Sequence, residues 1–600
     1  MFFNKQEVRR PTSGTARWPG PVGGWVQSGN RIGAPLEQAE LLDNFFPTVE
    51  GARLRRGSAV FADLGAQIES MFTYASGSTQ ELFAATGTAI FDCSRVNAGD
   101  NTFAEVESLT GGEWSFEQLS TSAGEYSVGF NGSDYGLFFD GADWRVLTDT
   151  ATNTLGFDAE TVAFVRGETV TGGTSGATAV VLGVIKTSAT AGSLIFGAIT
   201  GTFQDNEALT GSVAGAATAD GVAASATGIT LTGIDTRTID QVFEHKERLF
   251  FIEKDSQSVF YLAPKAIGGA ASELNLGSVF SEGGRILFGS TWSRDSGEGM
   301  DDYAVFVTER GEVAVYEGTD PDTATTWSLV GVFQVGEPVN KLAHFRLGGD
   351  LVFATEDGAI PMSSMFDADR AEARSTAISF PIEDAWRSDI RQRSAAYPVT
   401  MTLWHSETSL VVGTPASVNN LRVSYVRNIR TGAWARILGW DIRASATFDD
   451  EFYFGGTDGI VYQGDVGGTD AGTAFTGQYV PKFTEAGTSD IKATTTASLT
   501  YWAAEKARVK FSGCSDYAIP VRSAPAPSSP VTGTSTWGTG VWGTFAWGAA
   551  NDRIAFESTG AAHAVGYSVA PSIQVTSGEN GALAFEIIGL RLRYEVGSVF

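Results

Sequence analysis

From about residue 55 to residue 470 one local pattern keeps returning: a short apolar run, a turn built on Gly or Asp, and a second apolar run. The instances are Leu82–Ala85 with Gly87 and Ala89–Phe91, Tyr135–Phe139 with Asp140-Gly141 and Trp144–Val146, and Leu249–Ile252 with Asp255 and Val259–Leu262. Ala304–Val307 with Gly311 and Val313–Tyr316, Leu351–Ala354 with Asp357-Gly358 and Ala359-Ile360, and Phe452–Phe454 with Asp458-Gly459 and Ile460–Tyr462 complete the set. β-Branched and aromatic runs separated by residues that accept positive φ predict β-hairpins. Gly311 and Gly358 lie 47 residues apart, and Gly358 and Gly459 lie 101 apart with a further hairpin expected between Leu410 and Trp434, so the period is about 50. Four-stranded propeller blades have that period and bury their faces only when stacked radially. The pattern therefore predicts an all-β chain with a β-propeller-like body over 55–152 and 233–470, of six or seven blades; a series of β-sandwiches is the competing architecture.

The pattern breaks at 153–232, where Thr, Ala and Gly dominate. Phe164-Val165-Arg166-Gly167-Glu168-Thr169-Val170-Thr171-Gly172 recurs 39 residues later as Phe203-Gln204-Asp205-Asn206-Glu207-Ala208-Leu209-Thr210-Gly211. Small polar residues alternating with Val, Leu and Ile favour short strands, so this is an inserted β-domain with an internal duplication. Residues 1–54 carry Pro11, Pro19, Pro21, Pro35 and Pro47 among Trp18, Trp25, Phe45 and Phe46, which predicts an extended N-terminal arm with large anchors. Those anchors pack either on the chain's own body or on a neighbouring subunit. Residues 471–600 form a C-terminal β-domain containing a Pro/Ser-rich link at Ala524–Pro530 and three tryptophans at intervals of five, Trp537, Trp542 and Trp547. Helix is expected to be slight, the best amphipathic stretch running from Met365 to Arg374.

Charge narrows the function classes. With 41 basic and 69 acidic residues the net charge is −28, which disfavours gripping a phosphate backbone and suits a wall past which DNA slides. The two cysteines, Cys93 and Cys514, exclude a disulfide framework. The charged start, with Glu7, Arg9 and Arg10, does not read as a signal peptide, and no later run approaches 18 apolar residues, so synthesis in a cytoplasm and no membrane span are expected.

Candidate chemistry is sparse. His245, His344, His405 and His563 have no metal-ligand spacing, and neither a phosphate-binding Gly-rich loop nor a Gly-x-Ser-x-Gly elbow occurs. Asp301-Asp302, Glu383-Asp384 and Asp449-Asp450-Glu451 are carboxylate sets of the type glycosidases need, but adjacent strand residues point to opposite faces. Ser293-Arg294-Asp295-Ser296-Gly297 resembles the first half of the Asp-box turn of sialidase propellers and departs from it at Glu298-Gly299-Met300. The Trp triplet could offer a sugar platform, yet a period of five fits neither a strand face nor a helix face, which favours core or subunit-interface anchors. No catalytic residue, cofactor or metal is predicted; Trp18, Trp25, Phe45, Phe46, Trp537, Trp542 and Trp547 are the candidate interface anchors.

The segment from Ala34-Pro35-Leu36 through Leu41-Leu42-Asp43-Asn44-Phe45-Phe46-Pro47 to Gly51 and Arg55-Arg56-Gly57 resembles the opening of a family of phage structural proteins. Gly167–Thr178 is similar to small β-modules of phage tail and fibre proteins, and the Trp-Gly repeats with Tyr594-Glu595-Val596-Gly597 fit the same group. Together they resemble the tail nozzle, or tail hub, proteins of short-tailed phages. The resemblance implies a virion protein of the tail, forming with copies of itself a closed ring, expected to be a hexamer. That ring would sit below the portal and adaptor proteins, near the tail fibres, as a channel for genome retention and ejection, with only transient contact to DNA. The competing functions are a receptor-binding or glycan-cleaving tailspike-like propeller and, further off, a secreted adhesion protein.

Overall fold

The computed structural model describes residues 12–29, 33–99, 103–226, 229–295, 300–323, 325–365, 374–393, 397–528, 553–578 and 581–596. Every hairpin read from the sequence forms, including the one between Ser409–Val418 and Leu421–Asn428. The chain is all-β, and its body is a propeller of seven blades.

Seven strands face the axis: Ile68–Ser76, Ser115–Thr121, Ile239–His245, Ile286–Asp295, His344–Leu347, Thr400–Trp404 and Ala444–Phe448. Each abuts the next blade, and the last returns to the first. Blades 2, 3 and 4 are four-stranded sheets within 115–147, 239–275 and 286–334; in blade 3 the short strand Gly269–Ala270 is skipped and pairs with Leu231–Thr232 instead. Among the described residues blade 5 has three strands, His344–Leu347, Asp350–Thr355 and Gly358–Pro361; the helix Glu383–Ile390 packs against Gly358–Pro361. That helix forms because Trp386 and Ile390, one turn apart, are buried together, while Glu383 and Asp384 occupy its favourable N-terminal turn. The stretch expected to be most helical, Met365–Arg374, lies largely outside the described residues, though 374–376 is helical; Cys93–Ala98 is a further α-helix. Blade 7 is closed by chain from the other end: Ser58–Asp63 pairs with Ile460–Gly464. Apolar clusters fill the spaces between successive blades, such as Phe243, Phe250, Phe306 and Tyr316 between blades 3 and 4.

The insertion hangs from blade 1, whose outer strand Val106–Glu107 pairs with Thr178–Ser188. Its two copies are clasped reciprocally. Glu168 accepts from the backbone N–H groups of Val165, in its own copy, and Val213, in the other; Glu207 accepts from Gln204 in its own copy and from Thr174 and Ser175 in the first.

Residues 12–54 are not an extended arm. Thr12–Pro19 pairs with Glu586–Val596, and Gln38–Asp43 pairs with Thr476–Pro481 on one side and touches Trp434–Leu438 of blade 6 on the other. The prolines exclude helix as expected, but several end strands rather than interrupt them, as Pro19 and Pro47 do, so the ladders remain complete. The N-terminal segment and the C-terminal domain thus build one sandwich, and a single sheet runs from blade 6 into it.

Candidate functional site

A cavity of about 800 Å³ forms the axial mouth where the inner strands begin. Charged side chains there stitch neighbouring blades together. Lys341, which leads into blade 5, donates to Asp240 Oδ1 of blade 3 at 2.7 Å and to the Asp240 carbonyl at 3.0 Å. Arg443, 2% exposed, leads into blade 7, donates to the carbonyls of Ile68 and Glu69 in blade 1, and lies 3.5 Å from Glu113 Oε1. Lys254 of blade 3 reaches the carbonyl of Gly132 beside blade 2, Arg285 at the start of blade 4 pairs with Asp255, and Arg393 pairs with Glu356 of blade 5. Burial pushes the Glu113 carboxyl above its ordinary value, against the pull of Lys341 and Arg443. The contacts of Lys341, Arg443, Lys254 and Arg285 reach from one blade or its lead-in to another, so the girdle fixes blade against blade.

Beyond the mouth, aromatic rings packed between blades 1 and 2 border the axial cavities. Phe72 of blade 1 and Phe116 of blade 2 stack with centroids 3.7 Å apart, and Phe116 stacks in turn on Trp114 at 5.7 Å. Glu117 beside them is pushed up to about 7 by burial, opposed by Arg346 across the axis and assisted by Glu244. A carboxyl with that affinity titrates near neutrality, inside a channel already walled by Phe116, Val242 and Phe345.

The residues singled out in the sequence are not brought together. Trp18, Trp25, Phe45 and Phe46 are buried in the core of the sandwich and its junction with the propeller: Phe46 packs edge-on against Trp404 and Trp440, Trp25 lies near Tyr425, and Trp18 Nε1 donates to the carbonyl of Lys482. These four are internal anchors, a correction to the expectation of subunit contacts, because strand pairing carries the N-terminal segment onto the chain's own body. Trp537, Trp542 and Trp547 lie outside the described residues.

The carboxylates are occupied with local structure. Asp302 accepts from Ser293 Oγ, Glu383 pairs with Arg374 and Arg387, and Asp449 and Asp450 make the positive-φ turn between the first two strands of blade 7. Ser293–Asp295 continues a strand rather than opening a turn. His245 is buried against Thr291 Oγ1 and the carbonyl of Gly318, and burial pushes it down to about 4; His344 stacks on Phe288 and is likewise pushed down to about 4. Among the described residues no group of three His, Cys, Asp or Glu could hold a metal ion, and no helix is long and apolar enough to cross a membrane. Burial pushes both thiols up, Cys514 to about 12.

Sequence reasoning missed the girdle. Its signal was available: Arg285 and Arg443 each immediately precede an inner strand in a chain poor in basic residues.

No protein-family model matches the chain, and no curated protein matches it. Similar solved structures include YCF48 bound to D1 peptide, at 9% identity over 68% of this chain and 94% of that one, with a TM-score of 0.25. YCF48 from Cyanidioschyzon merolae is 10% identical over 68% and 98% of the two chains, with a TM-score of 0.24. The β-propeller domain of Cps50 (Swd1) from Myceliophteria thermophila is 8% identical over 66% and 99%, with a TM-score of 0.22. The propeller of this chain is defined by its own strand pairings.

Proposed function

We propose that the chain is a structural subunit of a phage tail nozzle or tail tube, assembling with copies of itself into a closed ring beneath adaptor and portal proteins. The observation that carries this reading is the placement of the segment on which the resemblance rests. Leu41–Gly57 passes through the joint between propeller and sandwich: Asp43 pairs with Arg436 of blade 6, Arg55 with Asp470, and Gly57 packs on the backbone of Thr469. A conduit wall under internal pressure needs rigid units rigidly joined. A seven-blade ring closed by its own N-terminal strand, stitched at its mouth and sharing a sheet with a second domain, supplies both. The net charge of −28 suits a surface that DNA passes without adhering.

The test is the assembly state of the purified protein, by native mass spectrometry and imaging, alone and with candidate adaptor and portal proteins. A hexamer or similar closed ring with an axial channel that joins the adaptor is the expected result. A persistent monomer, or a compact trimer that ignores the adaptor and cleaves host polysaccharide, would overturn the reading in favour of a tailspike-like protein.

A further inference from the structure

The charge of this chain is unevenly placed. Residues 55–470, the propeller and its insertion, hold 26 basic and 55 acidic residues, a net −29, whereas residues 1–54 and 471–600 together hold 15 basic and 14 acidic. The sandwich is therefore neutral and carries a propeller that repels its like. Two copies approaching propeller to propeller bring together surfaces of the same strong sign, an interaction that weakens only as salt screens it.

The sandwich offers a face with far less of that obstacle. Its strand Ile554–Gly566 is 13 residues long, has Lys492–Ala503 as its hydrogen-bonded neighbour among the described residues, and carries one acid, Glu557, already paired with Arg591 at 2.8 Å. Ser498 and Thr559 lie opposite one another on the two strands. At one end of the same pair Val565, Tyr567 and Ile491 are 52%, 56% and 36% exposed, beside the exposed Asp490 and Asp516, the latter accepting from the N–H of Tyr567. A long strand bearing exposed apolar side chains and little charge is a surface that proteins ordinarily cover.

We propose that copies of this chain associate through this face of the sandwich, centred on Val565 and Tyr567, with the acidic propellers held apart. The inference rests on the closed-ring reading above and names its subunit contact. The chief rival surface is the outer strand of blade 4, Trp327–Gln334, where Leu329 and Val332 are 44% and 38% exposed.

The experiment compares the full chain with two double variants, Val565→Asp/Tyr567→Asp and Leu329→Asp/Val332→Asp, all at exposed positions, by sedimentation and mass photometry at low salt and at about 500 mM NaCl. The expected results are oligomers for the full chain and for the blade 4 variant, tighter association at high salt, and a rise of roughly tenfold or more in dissociation constant for the sandwich variant. Oligomers that survive the sandwich substitutions, or dissolve on the blade 4 substitutions, overturn this contact while leaving a ring, and hence the nozzle reading, standing. A closed dimer lost only in the sandwich variant would keep the contact and sink the nozzle; a monomeric full chain would sink both.

Discussion

Arg55→Ala tests whether the joint between propeller and sandwich is held by one buried guanidinium. Arg55 is 2% exposed and donates to both oxygens of Asp470, at 2.8 and 2.6 Å, to Asn44 Oδ1 at 3.0 Å, and to the carbonyls of Leu438 and Arg56. Its guanidinium also lies 3.6 Å from the ring centre of Phe475. Removing one partner of a buried pair costs about 3–5 kcal/mol, chiefly through the charge left behind. Here the abandoned Asp470 is 20% exposed and keeps Ser58 Oγ and Trp440 Nε1 as donors, and Asn44 Oδ1 keeps the N–H of Leu438, which places the loss near the lower end, about 3 kcal/mol. Arg55→Lys should recover part of this, because it restores the charge but not the two-pronged geometry. Urea unfolding followed by tryptophan fluorescence, with proteolysis at the 465–475 loop as a local probe, measures both. A loss below about 1 kcal/mol for Arg55→Ala, without faster cleavage at that loop, would refute the reasoning.

Three further outcomes are expected. Gly57→Ala should cost about 2 kcal/mol or more in urea unfolding, because its Cβ would stand 1.9 Å from the carbonyl oxygen of Thr469, a backbone atom held by the Ser58 N–H. Burial opposes ionisation of Glu207, but the N–H groups of Gln204, Ser175 and Thr174 outweigh it and hold the carboxyl below its ordinary value; the insertion should therefore lose this support as pH falls below about 4.5, and Glu207→Ala should abolish that acid dependence in hydrogen exchange of 169–220. His245 is depressed by burial to about 4 from 6.5, so the neutral ring favours the fold above pH 6.5 and the contribution is lost as pH falls toward 4, by roughly 3 kcal/mol. His245→Gln should reduce the slope of that segment of the stability–pH curve, leaving the part that the similarly buried His344 carries, and an unchanged curve would refute the assignment.

The hairpins were legible because each is a local event: a Gly or Asp turn with apolar runs on both sides is decided within some 15 residues. The insertion was legible for the same reason, since its repeat is written twice within 80 residues. What pairing adds over long separations was not. Nothing local in Thr12–Pro19 says that its partner is Glu586–Val596, and a proline-rich stretch without a visible partner reads as an arm. The same blindness turned Trp18, Trp25, Phe45 and Phe46 into interface candidates, since large aromatic anchors look alike in sequence whether the covering surface is the chain's own or a neighbour's. The girdle was hidden for a different reason: Lys341 and Asp240 are ordinary surface residue types, and only the closing of the ring brings them within 2.7 Å.

The interior of the propeller constrains where any conduit can run. The stacked rings of Phe72 and Phe116 border its axial channel from the space between blades 1 and 2, and three cavities along that axis are about 800, 340 and 370 Å³, sized for small molecules. A double helix, whose major groove alone is about 12 Å wide, does not fit through such a passage. If the chain forms a nozzle, the lumen lies between copies rather than through each one, and the surfaces lining it are outer blade edges and sandwich faces. The rigid girdle then works by keeping seven sheets from splaying under load, not by touching cargo. It follows that substitutions bordering the axial channel, such as Phe116→Leu, should alter unfolding but not the bore of an assembled ring, whereas charge reversal on the outer blade surfaces should alter the passage of DNA without altering stability.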